Sequence, residues 1–215
     1  MQSSSAPSAP ETATRPLPDD RPRTVPLRLA VIVASNREGR FGPVVADWFL
    51  AHAREHAEFA VDVVDLAEAD LPTGLSRDPG PAAAATLAAV GPVLAAADAF
   101  TVVTPEYNHS FPAALKSLID WHFTEWQAKP VSFVSYGGLS GGLRAVEQLR
   151  QVFAEMHAVT IRDTVSFHSA HGHFDEEGAH RDPAVPDAAA KTLLDQLAWW
   201  GHALRDAKAV RPYGA

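Results

Sequence analysis

Three short stretches of this chain carry residue types that could do chemistry. Ser35-Asn36-Arg37-Glu38-Gly39-Arg40-Phe41-Gly42 combines a hydroxyl, two guanidinium groups and two glycines. Arginine's planar fork matches phosphate oxygens, and the glycines let the backbone come close to an anion. Pro105-Glu106-Tyr107-Asn108 sets one flat aromatic face beside an amide and a turn backbone. Ligand pockets combine apolar faces with a few placed polar groups in this way. Tyr136-Gly137-Gly138-Leu139-Ser140-Gly141-Gly142 holds four glycines. A plain loop-to-helix cap needs one, so this loop reads as a place where backbone approaches a ligand. Taken singly, the first stretch also suits a solvated polar turn and the second a structural turn.

A fourth group is less specific. His168, His171, His173 and His180 sit among Asp175, Glu176 and Glu177. Their spacing matches no zinc signature and the segment is polar, so no metal site is assigned. His157 and His202 are assigned nothing, and the Trp199-Trp200 pair reads as core or interface.

Each of the three stretches follows an apolar run. Leu27 to Ala34 is short and nearly continuous in apolar residues, as a central parallel strand should be. Phe100 to Val103 is similar, with Thr104-Pro105 expected to end its ladder because proline has no N–H. Pro130 to Tyr136 is a further strand, and Phe59 to Leu66 and Ala158 to Phe167 complete five. Between them lie helical patterns: Val44 to about His56, Ala82 to Ala97, the stretch after Pro112, Leu143 to Met156 and Ala188 to Lys208. Gly91-Pro92 should bend or split the second helix. Ser110 is the expected N-cap of the third, in which Leu115, Leu118, Ile119 and Phe123 follow at helical spacing. Five β-α repeats imply a doubly wound parallel sheet with helices on both faces. Ligands of such sheets bind at the carboxyl ends of the strands, where all three stretches fall.

Composition narrows the class. The net charge of −8 argues against a general nucleic-acid or anionic-membrane binder, so no nucleic-acid or membrane partner is expected. The absence of cysteine excludes disulfides, thiolate catalysis and cysteine-held metals. It also agrees with a cytoplasmic protein, which needs no disulfide. No apolar run approaches the roughly 20 residues of a membrane span. Neither a P-loop nor a G-x-G-x-x-G after the first strand is present, which argues against P-loop and Rossmann nucleotide binding. Residues 1–26 are rich in Ser, Ala and Pro and read as a disordered tail, with residues 27–210 as the folded domain.

The run Pro105 to Trp121, P-E-Y-N-H-S-F-P-A-A-L-K-S-L-I-D-W, resembles the signature of the NADPH-dependent FMN reductase family. The resemblance implies a flavodoxin-like fold with strand order 2-1-3-4-5. It implies that the first loop is the family's S-x-R loop and holds the FMN phosphate through Ser35 and Arg37. The family's usual second serine is replaced near Arg40-Phe41, which leaves Arg40 to the FMN phosphate or to the 2′-phosphate of NADPH. Pro105, Glu106, Tyr107 and Asn108 would line the isoalloxazine edge and ribityl chain. Tyr136, Gly137, Gly138, Ser140 and Gly141 would back the ring, with Phe41 and Gly42 beside the phosphate.

The implied activity is an FMN-dependent oxidoreductase with ping-pong kinetics. It would pass a hydride from NAD(P)H through flavin N5 to a small acceptor such as a quinone, an azo compound, an oxyanion or free flavin. The cofactor carries that chemistry, so no side-chain acid or base is invoked. The alternative is a flavin-binding electron carrier or accessory module that meets a protein partner. The resemblance further implies a homodimer, or a homotetramer, built on the helix from Phe111 to Trp126. Lys116 and Asp120 would pair across the two-fold, with Trp121 and Trp126 as aromatic anchors.

Overall fold

A computed structural model of the protein describes residues 25–214. The expected tail lies almost wholly outside the described residues. Five strands alternate with five helices: β1 (Leu27–Val33), α1 (Gly42–Glu55), β2 (Phe59–Asp65), α2 (Pro81–Ala96), β3 (Ala99–Pro105), α3 (Ala113–Trp121), β4 (Pro130–Tyr136), α4 (Leu143–Glu155), β5 (Val159–Phe167) and α5 (Ala184–Val210). Every strand pairing is parallel and the sheet order is β2-β1-β3-β4-β5, as expected.

Burial explains the sequence pattern of the strands. All seven residues of β3 and of β4 are buried, which is why both read as largely apolar runs broken only by small hydroxyl residues. β2 and β5 lie at the edges and mix buried with part-exposed positions. One core, on the α1 and α5 face, gathers Val31, Phe49, Val134, Leu193 and Leu197. The other, under α2, α3 and α4, gathers Ile32, Leu94, Phe100, Leu118, Phe133 and Phe153.

Four local expectations are corrected. β3 does not stop before Thr104: Pro105 still pairs with Tyr136, and the Glu106 N–H carries the ladder on to Tyr136 O at 3.2 Å. Proline lacks a donor, but the next residue supplies one. α2 is a single helix that runs through Pro92, neither split at Gly91-Pro92 nor capped by a side chain. α3 begins after Pro112 without a side-chain cap, because the Ser110 hydroxyl donates to Gln148 Oε1 at 2.6 Å instead.

The fourth concerns the end of α3. The helix stops at Trp121, so Phe123 leaves the apolar stripe and is 52% exposed. Trp126 is fully buried against Phe100, with ring centroids 4.7 Å apart, and donates Nε1–H to His122 O at 2.8 Å. It is a core residue and cannot anchor an interface. Lys116 and Asp120 pair within the helix at 2.6 Å, one turn apart.

Candidate functional site at the carboxyl ends of the strands

The loop after β1 is held from below by its own chain. The Ala34 N–H donates to Val103 O at 2.9 Å, and Ser35 is buried with its hydroxyl 2.5 Å from Tyr107 Oη. Gly39 takes φ +63°, which turns the loop towards α1. The two arginines then part company. The Arg37 guanidinium lies 5.7 Å above the Tyr107 ring and lines a cavity. Arg40 turns away: it grips both carboxylate oxygens of Asp65, with Nη2 to Oδ2 at 2.7 Å, and donates to Ser35 O at 2.7 Å. The hydrogen bonds to Asp65 raise the affinity of Arg40 for its proton. Burial would push the Asp65 carboxyl up, but the Arg40 bonds and the Ala67 N–H hold it below the usual range. Arg40 is therefore committed to Asp65 and Ser35 O.

The turn after β3 is compact. Tyr107 and Ser110 exchange backbone hydrogen bonds of 2.8 and 3.1 Å. Asn108 and His109 sit between them at φ +49° and +75°, where side chains other than glycine are strained. Glu106 accepts from Arg144 Nε at 3.1 Å and from the Arg144 N–H at 3.2 Å, which ties this turn to the start of α4.

The glycine loop after β4 is tight enough to need its glycines at two places. Gly142 has φ +84°, and a Cβ there would lie 2.7 Å from Ser135 Cβ. Gly141 has φ +61°, and its Cβ would lie 2.5 Å from Ser166 Oγ. Both of those serine hydroxyls donate to Gly141 O at 2.8 Å.

Tyr136 stands where these loops meet. It is 6% exposed, yet its hydroxyl has no hydrogen-bond partner among the described residues. The hydroxyl of Ser35 is close enough to favour the phenolate slightly, but it is aligned on Tyr107. Burial, reinforced by Tyr107, pushes the Tyr136 phenol well up, so it stays a donor throughout the physiological range. A Cβ on Gly42, the first residue of α1, would sit 2.8 Å from this oxygen. The orphan donor therefore lies at the open N-terminus of a 14-residue helix that has no side-chain cap.

These elements wall a cavity of about 480 Å³. Arg37, Phe41, Pro105, Glu106, Tyr107, Tyr136, Gly137 and Gly138 line it, as residues singled out in the sequence. Ser35, Arg40, Gly42, Asn108, Ser140 and Gly141 do not. Ser35 lies behind Tyr107, Gly42 beneath the Tyr136 hydroxyl, and Arg40 against Asp65.

Sequence reasoning missed the fourth wall, Ser169, Ala170, His171 and Gly172 from the loop after β5. His171 packs on Phe41 with ring centroids 4.3 Å apart. Its signal was position: the loop leaves the carboxyl end of a strand, as the other three do. Among the described residues no three His, Asp or Glu side chains are grouped to hold a metal ion.

Residues 27–172, which span all five strands and the three loops, match the NADPH-dependent FMN reductase family. The chain belongs to that family. The match to an NAD(P)H-dependent FMN reductase of Schizosaccharomyces pombe is 36% identical over 132 residues, 58% of this chain and 64% of that one. The match to a quinone reductase of Escherichia coli K12 is 30% identical over 142 residues, covering 63% and 73%. In three dimensions, a flavoenzyme NAD(P)H:(acceptor) oxidoreductase of Paracoccus denitrificans superposes with a TM-score of 0.64. That superposition has 20% identity over 82% of this chain and 98% of the other, and it supports the fold. Membership brings the FMN and NADPH for which the family is named.

The residues present suit FMN. A phosphate group can take the uncommitted Tyr136 donor and the Arg37 guanidinium, beside the positive end of the α1 dipole. The cavity falls within the usual 300–1,000 Å³ range for small-ligand sites.

Proposed function

We propose that this protein binds FMN in the cavity between its four strand-end loops and reduces small acceptors, a quinone foremost, at the expense of NAD(P)H. The observation that carries the reading is the buried Tyr136 hydroxyl without a partner at the N-terminus of α1. An unsatisfied buried donor destabilises the free protein, and an anionic oxygen there removes the penalty. Bound FMN supplies the hydride chemistry. Arg37 and Tyr136 hold the phosphate, with the positive end of the α1 dipole beside it. Tyr107 offers its ring face, and Gly137 and Gly138 bring side-chain-free backbone to the cavity wall. Arg40 fixes the loop through Ser35 O and leaves the phosphate to Arg37.

Because donor and acceptor would use one face of one cavity, turnover should be ping-pong. The quinone reductase among the relatives supports a quinone as acceptor. The test begins with the spectrum of the purified protein and an anaerobic NADPH titration of its flavin band. Initial rates against NADPH at several quinone concentrations follow. Parallel double-reciprocal lines are expected; a colourless protein that takes up no FMN, or converging lines, would overturn the reading.

Residues 27–210 form the flavin-binding unit in this reading, and the cytoplasm is its compartment, in keeping with a chain that lacks cysteine. The proposed assembly is a homodimer, with its contact moved from the earlier expectation. α2 holds no charged residue in 16 positions and leaves Ala82, Ala85, Ala89 and Pro92 exposed. A helix apolar all round is one that gets covered. Light scattering should find a dimer in the parent and a monomer in Ala89→Glu; a monomeric parent would sink the proposal.

A further inference from the structure

The loop after β5 carries four histidines, and the structure treats them unequally. His168 donates from Nδ1 to Leu139 O at 2.9 Å, and His173 from Nε2 to His168 O at 2.8 Å. His180 accepts the Asp182 N–H at Nδ1, 3.1 Å away, and stacks on His173 with centroids 5.5 Å apart. These three brace the loop. His171 is the exception: its ring rests on Phe41 in the cavity wall, and neither nitrogen meets a hydrogen-bond partner among the described residues.

The loop is stitched so that His171 stays at the cavity. The Ser169 N–H donates to Gly138 O at 2.8 Å and the Ala170 N–H to Gly137 O at 3.1 Å, which joins this loop to the glycine loop. Ser169 takes φ +52°, a strained conformation for serine, at the point where the chain turns towards Phe41.

We propose that His171 is the acid that protonates the acceptor as it takes up the hydride. The role rests on the reading of the cavity as a quinone-reducing site. A quinone that gains a hydride, two electrons and one proton, is an anion one proton short of the hydroquinone. In the proposed step an imidazolium N–H bond breaks and an O–H bond forms on the acceptor oxygen. The N–H electron pair stays on the ring, and the exposed imidazole regains its proton from water. Nothing else is oxidised or reduced.

The other polar side chains facing the cavity are poorly suited. An arginine such as Arg37 keeps its proton in proteins. The Glu106 carboxylate is held by Arg144, and the Tyr107 hydroxyl by Ser35. The Tyr136 phenol is pushed up by burial and is assigned to the phosphate. Histidine is the side chain that exchanges a proton near neutral pH, and His171 supplies one.

The experiment compares the parent with His171→Gln, each first titrated to saturation with FMN, using a quinone and ferricyanide as acceptors. Ferricyanide takes electrons without a proton. In the variant the ratio of quinone to ferricyanide turnover should fall about a hundredfold, the usual scale of one general acid. The parent's quinone rate should show a pH limb that the variant lacks, and added imidazole should restore part of the lost rate. A readout without turnover is the NMR resonance of the His171 ring, found by its absence from the variant, which hydroquinone should shift.

A parent that reduces neither acceptor overturns the function and this role together. A parent that reduces both, with a variant that keeps its ratio and its pH profile, overturns the role of His171 alone.

Discussion

Lys129 and Tyr136 bound the same strand, β4, and meet opposite fates. At the amino end, Lys129 is buried and donates to Leu94 O and Ala95 O at 2.9 Å each. Those are carbonyls of the last turn of α2, a helix with no basic residue of its own there, so the lysine caps it from a neighbouring strand. At the carboxyl end, Tyr136 is equally buried and its hydroxyl finds no partner among the described residues.

Backbone strain divides in the same way. Asn108, His109, Gly141, Gly142 and Ser169 take positive φ around the cavity. At the amino end, His157 does so too, but there it closes α4 in a Schellman turn, with Ala158 N to Phe153 O at 2.9 Å and His157 N to Ala154 O at 3.1 Å. Polar groups and strain at one end of the sheet are resolved within the fold. At the other end one buried hydroxyl, that of Tyr136, is left for a ligand.

The largest effect should come from breaking the amino end. Trp126→Ala removes a fully buried ring from between Phe100 and Phe153 and leaves a cavity. The expected loss is about 3–5 kcal/mol of folding stability in urea titrations. Little change in midpoint would mean that Trp126 is not the core residue described.

The carboxyl end should respond in flavin binding. Arg37→Ala should weaken FMN by about 1.5–3 kcal/mol, the scale of a hydrogen bond to a charged group. The melting temperature of the flavin-free protein should barely move, because Arg37 has no ion-pair partner among the described residues. Tyr136→Phe makes the sharper contrast, at about 1.5 kcal/mol of FMN affinity. The flavin-free variant should be as stable as the parent or more so, since it loses an unpaired buried hydroxyl. A variant that binds FMN like the parent, or unfolds more easily without it, would place the phenol in the structural class with Lys129.

The same division governs what could be read from the sequence. Strand positions were legible because β3 and β4 are buried on both faces and so are mostly apolar, while the sheet order came from the family resemblance. The glycine loop was legible because positive φ and close approach narrow the choice of residue at Gly141 and Gly142. Arg40 was not. Two arginines three apart in one loop look alike, and only folding brings Asp65, 25 residues on, to one of them. The ends of α3 were misjudged for a related reason. Helical spacing continues through Phe123 in the sequence, while the chain turns out at His122 to bury Trp126. His171 was passed over because composition marks a polar loop, and composition does not show which ring is left without a partner.

The last effect is the smallest at any single pH step, a slope rather than a jump, and it tests whether the amino end is as settled as its hydrogen bonds suggest. Burial, with repulsion from Lys208, lowers the pKa of Lys129 from a lysine's usual 10.5 to about 8, against the opposing pull of Asp98 and Glu125. Between those two values the folded protein has released a proton that the unfolded chain still holds. The unfolded state then binds more protons, so stability rises with pH across that window, by at most about 1.4 kcal/mol per pH unit from this group. As pH falls through 8 the contribution is lost. The neutral amine keeps two N–H donors, enough for Leu94 O and Ala95 O, so deprotonation relieves the buried charge without uncapping α2. Urea titrations of the parent and Lys129→Met across the window should differ in slope, the parent gaining on the variant as pH rises. Equal slopes would mean that Lys129 keeps its charge without penalty, and that the amino end of the sheet is more open to water than its burial implies.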